Sequence, residues 1–123
     1  MASPQKFKRS DIILVDLSGA TGGEKMNDAK INGRPCVVIQ NDRGNAVSPL
    51  TIVAPITGTD QFKNLPVQVF VTAAELGSGG SDSVVECGHL RTIDLCRVLK
   101  QLGTLAPAAM QRVDKALKIS LSV

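Results

Sequence analysis

The chain has 123 residues, 43% of them hydrophobic and 20% charged, with three phenylalanines and neither tyrosine nor tryptophan. That length suits one compact domain; the apolar content excludes a disordered chain, and the lack of a long uncharged apolar run excludes a membrane span. A net charge of +3 is too mild for histone-like or polybasic membrane binding, and so few rings argue against an aromatic platform that stacks single-stranded nucleic acid.

Residues 1–10 form a basic N-terminal tail with Lys6, Lys8 and Arg9, and residues 11–123 a single domain. The tail runs directly into Asp11 with no apolar signal region and no small-residue cleavage site, so a cytoplasmic location is expected. Cys36, Cys87 and Cys96 are an odd set without CxxC spacing, and reduced, buried thiols are the economical reading.

Short β-branched runs separated by turn residues predict strands at Asp11–Leu17, Pro35–Gln40, Leu50–Thr57, Val67–Thr72, Ser83–Cys87, Leu90–Ile93 and Val98–Leu102. Pro55 inside the third run predicts an edge strand or a bulge. Closely spaced strands with no long helix between them point to a small antiparallel sheet curled into a partial barrel. Ser18–Gly33 is a long glycine-rich loop of the kind that is usually functional or disordered, and Asn41–Asn45 reads as a polar turn. The one predicted helix is C-terminal: Pro107 suits its first turn, and Met110, Val113 and Leu117 fall on one face. Ala106 offers it no side-chain cap, and its expected role is to cover an open end of the sheet.

The single histidine and Cys87-x-His89 fall short of the four ligands of a closed zinc site, so no metal and no cofactor is expected. No nucleophile turn, P-loop or dinucleotide fingerprint is present. Two polar residues remain at the ends of apolar strands. Arg34 precedes the stiff Pro35, and Thr57 closes the third strand before Gly58. Taken singly, local pattern favours reading them as a surface arginine and a strand-terminal threonine.

Their order along the chain carries more. Asp11-Ile-Ile-Leu-Val-Asp-Leu17, Gly33-Arg-Pro-Cys-Val-Val-Ile-Gln-Asn-Asp42, Ile52-Val-Ala-Pro-Ile-Thr57, Ser83-Val-Val-Glu-Cys87, Leu90-Arg-Thr-Ile-Asp94 and Val113-Asp-Lys-Ala-Leu-Lys-Ile-Ser-Leu121 together resemble the MazF/PemK/Kid family of toxin endoribonucleases. The resemblance implies a mainly β, SH3-like partial barrel with a C-terminal helix, a homodimer, and metal-independent cleavage of single-stranded RNA, leaving a cyclic phosphate and a 5′-hydroxyl. It also implies a MazE-like antitoxin whose extended tail fills the RNA groove, with operator DNA contacted only through that antitoxin. Arg34 and Thr57 match the family's catalytic arginine and threonine. Arginine suits the phosphate, since it presents several donors in one plane and keeps its proton, and threonine suits a hydrogen bond to a non-bridging oxygen.

Two departures stand out. Gly22-Gly-Glu-Lys25 replaces the family's G-S-E-Q in a longer first loop, and Gly88-His89 replaces an acidic residue followed by Gln. His89 then has three readings: a specificity residue, a replacement general base, or a surface histidine. Arg91 contacts RNA or pairs with Asp94. Glu24, Gln40, Asn41 and Ser48 are further candidates for the RNA groove by position and loop placement. The rival function is a non-nuclease binding protein on the same barrel, a gyrase poison or a silent homologue. A groove built on hydroxyls, amides, Arg and one His, touching few phosphates, predicts an affinity that falls only moderately with salt.

Overall fold

A computed structural model describes residues 6–19, 23–28, 32–77 and 80–123. Seven antiparallel strands form one sheet: β1 (Asp11–Val15), β2 (Arg34–Val38), β3 (Leu50–Gly58), β4 (Gln68–Val71), β5 (Ser83–Glu86), β6 (Arg91–Asp94) and β7 (Val98–Thr104). The order is β4-β5-β3-β2-β1-β7, with β6 also paired to β3. Two register shifts where β1 meets β7 bend the sheet toward closure, which gives the open, barrel-like form the sequence predicts.

The unbroken apolar run of β1 is explained by burial on both faces. Ile12 turns toward a core shared with Val37, Ala54, Ile56, Val85 and the inner side of helix α3 (Pro107–Leu121), where Ala109, Met110, Val113 and Leu117 pack. Ile13 and Val15 turn the other way, into a second cluster with Cys36, Val38, Val53, Ile93, Leu95 and Phe7. Packing therefore begins before Asp11, at Phe7. The helix starts without a side-chain cap, as Ala106 implies, and Pro107 occupies its first turn. It lies over one sheet face.

Three expectations change. Asn41–Asn45 opens a short helix, α1 (Asp42–Val47), capped by the Asn41 side chain, which accepts from the Gly44 N–H. Gly44 hides this helix from a reading based on propensity. A second short helix, α2 (Ala73–Leu76), is set by Thr72 and Glu75 capping each other's backbone and ends at Gly77, whose φ of +61° suits glycine. The third change concerns Pro55. β3 is central, flanked by β2 on one side and by β6 (along Leu50–Val53) and then β5 (from Ile56) on the other. Pro55 sits at the hand-over between those two partners, so a residue without an N–H is tolerated inside a central strand.

Cys36 and Cys87 are buried as expected, whereas Cys96 is exposed. Among the described residues no helix is long and apolar enough to cross a membrane.

Candidate active site

Register brings the two polar strand ends together. Cys36 on β2 stands opposite Pro55 on β3, and continuing that antiparallel pairing by two residues puts Arg34 across from Thr57. Both then project from the sheet face away from α3. Gly33 allows β2 to begin there, because a Cβ would meet the Leu14 side chain at 3.0 Å.

Arg34 is held by its own neighbours: Nε donates to the Met26 carbonyl at 2.8 Å and a terminal nitrogen to the Ile56 carbonyl at 3.3 Å. Thr57 is 5% exposed, and its hydroxyl has no hydrogen-bond partner. A buried hydroxyl left unpaired costs free energy, which sets Thr57 apart from the other buried polar residues described.

On the same sheet face, Pro55 joins Glu24, Lys25, Gly88, His89 and Arg91 in walling a groove of about 340 Å³, whose lining includes neither Arg34 nor Thr57. The described part of the first loop forms one wall. It is pinned by Asn27, whose side chain accepts from the Leu17 N–H at 2.7 Å and donates to Asp16 at 2.9 Å, and by a bridge between Asp28 and Gly33. The bond from Asn27, with the Ser18 N–H behind it, holds the Asp16 carboxyl below its usual range. Gly22 and residues 29–31 of this loop lie outside the described residues.

The opposite wall is the turn from β5 to β6, closed by the His89 N–H donating to the Glu86 carbonyl. His89 is exposed on it. Arg91 is half-buried and reaches the Leu17 carbonyl at 3.5 Å, while Asp94 accepts from the Cys96 N–H and so serves the following turn. That bond also keeps the Asp94 carboxyl low.

Gln40, Asn41 and Ser48 lie elsewhere. Gln40 and Asn41 wall a neighbouring cavity of about 510 Å³ that shares only Leu90 with the groove. Gln40 donates to Asn45 and to the Leu50 carbonyl, Asn41 caps α1, and the Ser48 hydroxyl accepts from the Leu50 N–H. The buried Asn45, bonded to Thr51 at 2.8 Å, ties this network to β3.

Burial raises the Cys36 and Cys87 thiols to about 12, so neither is a nucleophile near neutrality. Among the described residues no three His, Cys, Asp or Glu side chains gather as a metal site. Sequence reasoning missed Glu86 and Lys25. The only signal for Glu86 was a charge at the end of an otherwise apolar strand.

The family model for PemK-like, MazF-like toxins of type II toxin–antitoxin systems matches residues 8–121. The chain is similar to the endoribonuclease EndoA of Bacillus subtilis strain 168, with 40% identity over 116 residues, which cover 94% of this chain and 95% of that protein. Among solved structures, MazF from Deinococcus radiodurans superposes with a TM-score of 0.78 at 22% identity, covering 97% and 99% of the two chains. A mycobacterial endoribonuclease in complex with its cognate antitoxin gives 0.75 at 17% identity, covering 94% and 95%. These likenesses match the sheet and C-terminal helix described above.

Proposed function

The chain belongs to the PemK-like, MazF-like toxins of type II toxin–antitoxin systems, and from that premise we propose that it is an endoribonuclease that cuts single-stranded RNA, mRNA above all, at a short recognition sequence. The observation that carries the reading is the buried, unpartnered Thr57 hydroxyl, level with Arg34 by register and on the sheet face whose Pro55 lines the groove.

In the proposed reaction the ribose 2′-oxygen bonds to the adjacent phosphorus and loses its proton to a base. The bond from phosphorus to the 5′-oxygen breaks, and that oxygen takes up a proton. The products are a 2′,3′-cyclic phosphate and a 5′-hydroxyl, and no metal takes part. Charge builds on the non-bridging oxygens, where fixed donors act most strongly. Arg34 turns its guanidinium from the Met26 and Ile56 carbonyls to the phosphate, keeping its proton throughout. Thr57 donates its hydroxyl to a non-bridging oxygen. Glu24, His89 and Arg91, on the groove walls, contact the bases and backbone of the strand, which continues past Leu90 toward Gln40, Asn41 and Ser48. The protein acts in the cytoplasm as a homodimer, and the extended tail of a cognate MazE-like antitoxin occupies the groove. Operator DNA is reached only through that antitoxin.

The test is incubation of the purified protein with mixed-sequence RNA in EDTA, followed by end analysis. Fragments with cyclic phosphate and 5′-hydroxyl ends are expected, and Arg34→Ala and Thr57→Ala should each abolish them in folded protein. Full activity in either variant overturns the site, and gyrase inhibition without RNA fragments overturns the reaction.

A further inference from the structure

Glu86 is the one charged side chain among the fully buried polar residues described, at 3% exposure, and the chemistry above does not use it. It ends β5. Val85 stands opposite Ile56 and Val84 opposite Thr57, so Glu86 falls level with Pro55, on the same sheet face as Thr57. A buried carboxylate is costly unless an opposite charge or hydrogen-bond donors compensate it. Two groups compensate it. Gln68, its partner on β4, donates to Oε2 at 3.2 Å, and the Lys25 ammonium stands 3.7 Å from the same oxygen.

Lys25 comes from the first loop, and both Lys25 and Pro55 line the groove. Its side chain retains 20% exposure against 4% for Glu86, so the pair presents its positive end to the groove and its negative end to the sheet. A separation of 3.7 Å is an ion-pair distance but too long for a good hydrogen bond, so the ammonium can still donate to an incoming acceptor. A lysine on a long loop would otherwise lose much side-chain freedom on binding anything, and a buried anchor removes most of that cost beforehand.

We propose that Glu86 is a positioning residue that holds the Lys25 ammonium on the groove wall, where Lys25 binds a backbone phosphate of the RNA next to the cut. This rests on the reading of the chain as an RNA-cleaving enzyme. Lys25 contributes equally before and during the reaction and reads no base, whereas Thr57 and Arg34 act on the phosphate being cleaved.

The experiment compares Lys25→Met, Glu86→Gln, the double variant and Lys25→Arg with the unsubstituted protein. Steady-state cleavage is measured together with binding of RNA carrying a 2′-deoxy residue at the cut, over a range of salt. Lys25→Met and Glu86→Gln should each raise KM with kcat unchanged, by the same factor for every RNA sequence. The slope of log affinity against log salt should become shallower by about 0.7, the loss of one phosphate contact on a single strand. The double variant should match Lys25→Met alone, and Lys25→Arg should retain the contact. Unchanged or tighter binding in Glu86→Gln, or a fall in kcat at constant KM, overturns the proposal. If Glu86→Gln does not fold, Lys25→Met decides by the same KM and salt slope. If the unsubstituted protein cleaves RNA and Lys25→Met keeps its KM and slope, this inference alone fails; if it neither binds nor cleaves RNA, the functional reading fails and takes this inference with it.

Discussion

Replacing Thr57 with valine should stabilise the fold and destroy the activity, the trade expected where a polar group is kept for function at the fold's expense. Valine keeps the β-branched shape that suits a strand and removes only the hydroxyl. That hydroxyl is buried at 5% exposure without a partner. An unsatisfied buried hydroxyl costs about 1–3 kcal/mol, part of which valine recovers, so a gain of roughly 1 kcal/mol is expected. For a chain of this size that corresponds to a rise in Tm of about 3–5 °C. Removing one preorganised donor to the transition state should slow cleavage by about a hundred- to a thousandfold. Thermal unfolding and single-turnover cleavage of one RNA, followed in the same preparation, check both. Thr57→Ser should retain cleavage and lose stability, because it keeps the oxygen and opens a methyl-sized void. A lower Tm for Thr57→Val would mean that the hydroxyl is satisfied in the free protein; cleavage at the normal rate would mean that it has no part in the chemistry.

Trimming Ile12 to alanine, at 1% exposure under α3, should cost about 2–5 kcal/mol in urea unfolding through the cavity it leaves. Arg112 grips the Glu75 carboxylate with bonds of 2.7 and 2.9 Å and, with the Thr72 N–H, holds its pKa below the usual value of 4.5. The pair therefore stabilises the fold above pH 4.5, and this contribution is lost as pH falls through the lowered pKa of the folded state. Arg112→Met should lower stability at neutral pH by less than about 1 kcal/mol and flatten its decline in acid, as measured by melting between pH 7 and pH 2. A thiol reagent at neutral pH should label Cys96 alone in the folded protein, by mass spectrometry, with Cys36 and Cys87 reacting only in denaturant. His89→Gln should leave the pH profile of single-turnover cleavage unchanged if His89 only contacts RNA, and a shifted profile would make it the base.

Local pattern alone determined a good part of this protein. The apolar run Ile12–Val15, the β-branched stretches of β2, β3 and β5, and the spacing of Met110, Val113 and Leu117 each fix the state of their own segment, because periodicity is a property of neighbours in sequence. The six motifs in order carried the family, and they singled out Arg34 and Thr57. What they did not determine depends on register between strands distant in the chain. That Pro55 belongs to a central strand follows from where β6 stops and β5 begins. The placement of Gln40 and Asn41 around a second cavity, and of Glu86 below Lys25, likewise came only with the folded sheet. Sequence names the groups that can do chemistry. Burial and cross-strand pairing decide which of them meet, since a hydroxyl or carboxylate acquires its character from what surrounds it in space and not from what adjoins it in the chain.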